Sequence, residues 1–457
     1  MIKVYNTLSR KKEEFVSIEK NKVKIYSCGP TVYSYQHIGN MRAAIFVDIV
    51  KRVLRYFNYT VTDVVNITDV GHLVSDEDAG EDKMLKAAQR ENKNPYEIAR
   101  FYEDAYLNDL KLLNVILPKY LPRATEHIKE QIELIEELEK NKFTYKISDG
   151  VYFDVSKFKD YGKLSGQSLE EKKAGARVEV KSEKKNQADF ALWKFLTGAN
   201  ANHVMKWNSP WGAGFPGWHL ECSAMAHKYL GDEFDIHTGG IDHVPVHHEN
   251  EIAQNVCSGE IKKINYWLHN AHLLVDNEKI SKSLGNGYLL SDLIKKGYSP
   301  LAFRELCLRS HYRKQVNFSF ESMSAGDVNV KKINDFYNKL SLMSADLDAN
   351  DELKPIFNKR LDEFEAGLKD DFNTPIAIAS VYEFISDVNR KKSLSENDLK
   401  LAKEFIERCD KVLGLVEKKV EISKEILKIA NLRKIARKNK DFKESDRLRD
   451  ELKKLVY

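Results

Sequence analysis

Three short stretches of this sequence hold residue types that could do chemistry. "PVHHENEIAQ", residues 245–254, sets His247 and His248 ahead of Glu249 and Glu251. On a helix His247 and Glu251 share a face, four residues apart, and His248 and Glu249 are expected to point elsewhere. Such a pair, taken alone, is more often a solvated surface pair than half of a metal site. "HIGN", residues 37–40, lies where a loop after a strand enters a helix. Free backbone N–H groups and the positive dipole end make that place suited to phosphate. Gly39 lets a ligand approach the backbone, and His37 can donate to a phosphoryl oxygen. "KISKS", residues 279–283, puts two lysines and two serines in a turn followed by "LGN". A cationic loop of this kind can grip a triphosphate and stabilise the charge that builds on it. Each stretch alone also reads as an ordinary helix start or basic turn; together, at the edges of one sheet, they point to nucleotide chemistry.

These stretches need elements to position them. "VKIYSC", residues 23–28, reads as a strand ending in Cys28. From Asn40, a candidate N-cap, apolar residues recur at helical spacing through Ala44, Val47, Leu54 and Phe57. "TVTDVVNIT", residues 60–68, is β-branched and strand-like. Strand, loop, helix, strand is half of a nucleotide-binding α/β unit. "HIKEQIELIEELEKN", from His127, is an amphipathic helix pattern, and the Lys-rich segment 170–187 reads as an exposed loop or hairpin. "WLHNAHLLV" is strand-like ahead of the KISKS turn, and beyond about Asp327 the pattern is helical to the end. The expected architecture is α/β: a Rossmann-like parallel-sheet catalytic core with an insertion, then an α-helical C-terminal bundle. The expected divisions are 1–120 for the first half of the core, 121–200 for a connective insertion and 201–275 for the second half. A connecting turn region with KISKS then spans 276–325, and a helical region 326–457.

Composition narrows the class. The 457 residues are 42% apolar and 31% charged, an ordinary globular balance. A net charge of +4, from 73 basic and 69 acidic residues, is too mild to argue for nucleic acid by itself. No apolar run of membrane-spanning length and no leader pattern is present, so a cytoplasmic protein is expected, with no membrane partner. Five scattered cysteines, Cys28, Cys222, Cys257, Cys307 and Cys409, argue against a disulfide framework. If the two halves of the core meet in one cleft, Cys28, Cys222, His247 and Glu251 can converge, a set of donors that suits zinc.

"HIGN" and "KISKS" resemble the HIGH and KMSKS signatures of class I aminoacyl-tRNA synthetases. "SCGPTVY", "FPGWHLECSAM", "HHENEIAQ" and "KISKSLGN" in order, with "ATEHI", "ADFALWK" and "DDFNTP", are similar to the cysteinyl-tRNA synthetase family through most of the chain. The resemblance implies ATP-dependent ligation of L-cysteine to its tRNA through a cysteinyl-adenylate, by a monomer. It implies one Zn²⁺ on Cys28, Cys222, His247 and Glu251, selecting cysteine through its thiolate, and Mg²⁺ with ATP. It places ATP at His37, Gly39, Asn40, Asp242, Lys279, Ser281 and Lys282, with His37, Asn40, Lys279 and Lys282 stabilising the transition state. Gly29, Thr68, Trp218 and His237 line the cysteine pocket, His237 as a donor to the substrate carboxylate. Cys257, Cys307 and Cys409 match no ligand position and are expected to be packing residues. On the basic C-terminal helices, Arg433, Arg437, Arg447 and Arg449 are expected to contact tRNA, against the alternative of a solvated hairpin paired to its own acidic residues. Two departures stand out: Asn40 replaces the second histidine of HIGH, and "VGHLVSDEDAGEDK" replaces the usual "IDDK" run after "NITD". Two other readings stay open: a cysteine:amino-sugar ligase of the same ancestry, and a non-catalytic RNA-binding protein with structural zinc.

Overall fold

Val23, Ile25 and Tyr26 are fully buried because their strand, Lys22–Ser27, lies inside a four-stranded parallel sheet. The strands run in the order Lys263–Asn270, Glu233–Gly240, Lys22–Ser27, Thr60–Val65. From Lys22–Ser27 the chain winds outward on one side through the helix Ile38–Tyr56 to Thr60–Val65. It returns on the other side at Glu233–Gly240 and winds outward through the helix His247–Ser258 to Lys263–Asn270. The order therefore reverses between Lys22–Ser27 and Glu233–Gly240, and a crevice opens at the carboxyl ends of these strands, where ligands bind in open α/β sheets. The computed structural model describes residues 1–71, 83–167, 183–201, 203–281, 284–343 and 345–417, with 429, 432–433, 436, 441, 444–448 and 451.

The helix Ile38–Tyr56 starts two residues before the expected cap at Asn40. His37 is the N-cap: its Nδ1 accepts from the backbone N–H of Gly39 and Asn40, at 3.1 and 3.3 Å, while Asn40 Oδ1 accepts from the His37 N–H at 3.2 Å. Asn40 is thus the reciprocal member of a capping box. Two buried cations fix this helix. Lys51 Nζ lies 2.8 Å from Asp63 on the strand Thr60–Val65. The Arg42 guanidinium donates to the carbonyls of Ala271 at 2.6 Å, Tyr312 at 3.3 Å and Lys314. It thereby ties the helix to the connection that carries KISKS. That connection is a small sheet in which Leu273–Val275 pairs parallel with Val316–Phe318 and antiparallel with Glu278–Lys279.

The amphipathic helix predicted from His127 runs Ile128–Lys140. An antiparallel sheet follows, ordered Thr144–Ile147, Gly150–Phe153, Phe190–Phe195, Gly214–Pro216. Its last strand lies past residue 200, where the sequence reading ends the insertion. Most of the Lys-rich segment 170–187, and the "IDDK" departure at 72–82, lie outside the described residues.

The chain divides into two compact units, 1–415 and 416–457. The first includes the helices Phe320–Leu342, Lys354–Lys369, Thr374–Asn389 and Glu396–Leu413, of which the last ends at Gly414 with φ 63°. In the second unit Ile429, Ala436 and Leu448 form a small apolar cluster. Among the described residues no helix is long and apolar enough to cross a membrane.

Candidate active site

Cys28 leaves the end of the first sheet strand, Cys222 sits on the helix Trp218–Leu230, and His247 opens the helix that carries Glu251. Ligand atoms of these four residues all lie within 4.8 Å of one another. Cys28 Sγ is 3.8 Å from Cys222 Sγ, Cys222 Sγ is 3.5 Å from His247 Nε2, and His247 Nε2 is 3.0 Å from Glu251 Oε1. A tetrahedral ion with metal–sulfur bonds of about 2.3 Å separates its two sulfurs by about 3.8 Å. Two thiols, an imidazole and a carboxylate in that arrangement fit a soft or borderline divalent cation and do not fit one that prefers all-oxygen ligands. Cys257, Cys307 and Cys409 are buried apart from this cluster.

Electrostatics supports the same fit. Burial pushes the Cys28 thiol well above its ordinary range, with Cys222 and Glu251 adding to the shift. Burial opposes ionisation of Cys222 too, but its hydrogen bond with Cys28 and the His247 charge turn the net shift downward. Burial would lower His247, yet Glu251 and Cys222 raise it to about 10. Burial would raise Glu251, yet His237 and His247 hold it below the usual carboxylate range. Protons thus occupy positions that a divalent cation would take, so protons and metal compete for one set of lone pairs.

One expectation needs correction. His248 does not point elsewhere: its Nε2 lies 3.2 Å from Cys28 Sγ and 3.8 Å from Glu251 Oε1. Residues three and four apart both face one another on a helix, so His248 joins Glu251 as His247 does. Cys28, His237, His248 and Glu251 form a second set within 4.8 Å. Glu249 does point away, accepting from the N–H groups of Gly162 and Ser165 at 3.1 and 2.6 Å. His237 is fully buried, stacks on Trp267 at 4.4 Å, and contacts Glu251 Oε2 at 2.8 Å through Nε2. It is not among the residues that border the cleft, and its Nε2 contact orients Glu251.

A layer of residues behind the cluster escaped the sequence reading. His219 Nδ1 lies 2.9 Å from His247 Nδ1, and His248 Nδ1 lies 2.7 Å from His269 Nε2. His269 Nδ1 in turn lies 2.7 Å from Thr7 Oγ1. Partners on the far nitrogen fix the tautomer and orientation of ligating imidazoles. His219 carried one signal, its place one helical turn before Cys222; His269 and Thr7 carried none.

One cleft of about 770 Å³ is bordered by Cys28, Cys222 and His247 and also by His37, Gly39, Asn40, Asp242, Lys279 and Ser281. Gly29, Thr68 and Trp218 line it as well. At Gly29 a Cβ would come 1.6 Å from the Asn66 carbonyl oxygen, so only glycine fits. Its N–H donates to Asn66 Oδ1 at 2.8 Å. Thr68 Oγ1 donates to the buried Glu221 carboxylate at 2.6 Å. The Trp218 ring sits 4.5 Å from that of His247. His243, next to Asp242, also lines the cleft, and burial lowers it to about 4.

Backbone N–H groups can only donate, so His37 Nδ1 is an acceptor and the neutral ring carries its proton on Nε2. Burial lowers the His37 pKa, which keeps the ring neutral. Asn286, in "LGN", accepts from the Ser281 N–H at 2.9 Å and donates to the Lys279 carbonyl at 3.3 Å, so it fastens the two ends of the KISKS turn. A Cβ on Gly39 would lie 3.1 Å from Ile280 Cδ1, which shows how closely the two signature loops pack. Lys282 lies outside the described residues, as do Arg437 and Arg449. Arg433 is half-buried, and Arg447 pairs with Glu444 and Glu451 at 2.7 and 2.9 Å.

Comparison with known proteins agrees with this geometry. Residues 14–327 match the profile described as tRNA synthetases class I (C) catalytic domain, and residues 363–417 match the DALR domain. The chain is 43% identical to the cysteine–tRNA ligase of Treponema denticola, covering 99% of this chain and 96% of that protein. It is 41% identical to that of Caldicellulosiruptor saccharolyticus, covering 100% and 97%. Among solved structures, Mycobacterium tuberculosis methionyl-tRNA synthetase in complex with methionyl-adenylate superposes with a TM-score of 0.60 at 15% identity, over 86% of this chain and 90% of that one; this likeness concerns the fold alone. By profile and by near full-length identity, the chain belongs to the cysteine–tRNA ligase family of class I tRNA synthetases.

Proposed function

We propose that the chain ligates L-cysteine to its tRNA in two steps within this cleft. A carboxylate oxygen of cysteine attacks the α-phosphorus of ATP, the bond to the β-phosphate breaks, and pyrophosphate leaves with Mg²⁺. The terminal ribose hydroxyl of the tRNA then attacks the adenylate carbonyl, giving cysteinyl-tRNA and AMP. The His37 Nε2–H donates to phosphate oxygen, the Asn40 amide and the helix N-terminus add further donors, and Lys279 and Lys282 offset charge on the departing pyrophosphate. Asp242 holds the adenosine or the amino group, and Gly29, Thr68 and Trp218 wall the amino-acid pocket. No side-chain nucleophile takes part; catalysis rests on positioning and electrostatics.

Cys28, Cys222, His247 and Glu251 would hold Zn²⁺, which supplies a soft Lewis acid that favours a thiolate over the nearly isosteric serine hydroxyl. His237 and His248 keep Glu251 and Cys28 in place around it. The basic C-terminal residues Arg433, Arg437, Arg447 and Arg449 contact tRNA phosphates, and the protein works in the cytoplasm. The observation that carries the reading is one cleft bordered by two cysteines and His247 and also by His37 and Lys279.

The test is cysteine-dependent ATP–pyrophosphate exchange followed by charging of tRNA. Exchange with cysteine and not serine, then transfer to tRNA, is the expected result. Exchange followed by transfer to an amino sugar and not to tRNA would favour the amino-sugar ligase. The absence of exchange would remove the enzyme reading.

A further inference from the structure

Exposed apolar side chains that stand grouped, unlike scattered ones, mark interaction sites. Tyr35, 47% exposed, and Phe101, 42% exposed, are such a pair, in contact with each other. Tyr35 stands two residues before His37 on the cleft rim. Its loop is pinned from below by Gln36, whose Nε2 donates to the carbonyls of Thr31 at 3.0 Å and Ser34 at 3.2 Å. The Tyr35 ring is held upright by edge contacts with Tyr102, centroids 5.0 Å apart, and Phe101, 6.0 Å apart. Lys93 Nζ lies 4.6 Å over the Phe101 ring. Held rings, one of them with a cation over one face, on the lip of a cleft, match how proteins take unpaired nucleotides: bases stack on free ring faces and a cation serves the backbone.

We propose that Tyr35 and Phe101, with Lys93, form a stacking platform for the unpaired bases at the 3′ end of the tRNA. This rests on the reading that tRNA is the second substrate, whose terminal ribose hydroxyl must cross the rim to reach the adenylate. The platform holds that end by stacking and does not read its sequence. Tyr102 is the support: its hydroxyl bonds to Glu91 and its ring braces both platform rings.

The experiment uses the full chain and compares the unaltered protein with Phe101→Leu, Phe101→Tyr and Tyr35→Leu. Leucine keeps apolar bulk but has no π-face. Cysteine-dependent ATP–pyrophosphate exchange without tRNA reports the first step. Aminoacylation against tRNA concentration reports the second, and a tRNA with 2-aminopurine as its terminal base reports stacking by quenching. Phe101→Leu should leave exchange within about twofold while lowering kcat/KM for tRNA about tenfold or more, the loss ordinary for one stacked base. It should also relieve the quenching, and Phe101→Tyr should restore both. Tyr35→Leu should lose at least as much in the tRNA step. Unchanged tRNA dependence and quenching in both leucine variants would overturn the platform. So would a raised KM for ATP in Phe101→Leu, since the ring would then serve the mononucleotide. No exchange in the unaltered protein would remove the underlying function and the platform with it, whereas normal exchange with insensitive charging removes the platform alone.

Discussion

Replacing Gly39 with alanine should slow adenylate formation about ten- to a hundredfold, while Gly287→Ala should leave it near the unaltered rate. The two glycines face the same neighbours at different distances. A Cβ on Gly39 would stand 2.9 Å from Cε1 and Nδ1 of His37 and 3.1 Å from Ile280 Cδ1. A Cβ on Gly287 would stand 3.6 Å from Ile280 Cγ2 and 4.0 Å from His37 Cβ, ordinary contact. Carbon contacts relax at about 3.5–4.0 Å, so alanine at 39 must drive the His37 ring and Ile280 back by roughly half an ångström. That displacement stretches the two N-cap bonds, at 3.1 and 3.3 Å, and moves Lys279 and Ser281, which flank Ile280. A misplacement of about 1 Å can cost about a hundredfold in rate, which sets the range. The fold should survive: alanine gains about 1 kcal/mol in helix propensity over glycine, against about 0.5–2 kcal/mol for a weakened cap. ATP–pyrophosphate exchange at saturating cysteine, with thermal melting as a folding control, checks the pair. A full rate in Gly39→Ala, or an equal loss in Gly287→Ala, would refute the reasoning.

Three further outcomes follow from the same geometry. Cys222→Ser should lower metal content and raise KM for cysteine at least tenfold with little effect on KM for ATP; a selective loss of ATP affinity would count against the placement of the metal. Asn286→Ala, which unfastens the turn between Ser281 and Lys279, should lower kcat for exchange about tenfold and leave KM for cysteine unchanged; a cysteine defect would contradict this. At neutral pH the metal-free site keeps one proton on His247, raised to about 10, and one on Cys28, pushed up by burial. Uptake of an ion should therefore release two or more protons and gain at least about a hundredfold in apparent affinity per pH unit as pH rises from about 6.5 to 8. Affinity independent of pH in a metal-titration series would oppose that sign.

Much of this arrangement is legible in the sequence because its parts are local. "HIGN" and "KISKS" announce themselves by residue type, and the β-branched runs at 23–28 and 60–68 give the strands that bear Cys28 and Thr68. The convergence of Cys28, Cys222, His247 and Glu251 follows once two strand-following loops are placed at one switch point. What stays hidden depends on three-dimensional proximity. His248 is hidden because the i, i+4 relation singles out His247 as the partner of Glu251, while i, i+3 places His248 there as well. His237 reads as a strand-end residue, and its stacking on Trp267 and its contact with Glu251 are not legible there. Nothing in the sequence marks Arg42, yet it is 3% exposed and its guanidinium serves carbonyls more than 200 positions away. The sequence does not separate a cap at His37 from one at Asn40, because both residues hydrogen-bond across the same turn.

The central claim is that these four side chains gather one ion and that the ion meets its amino acid through sulfur. X-ray absorption on the zinc-loaded protein, alone and with cysteine or serine, tests it most directly. The account predicts two sulfur neighbours at about 2.3 Å in the protein alone, a third on adding cysteine, and no change with serine. A sulfur count that stays at two with cysteine bound, or a site without two sulfurs at the outset, would contradict it.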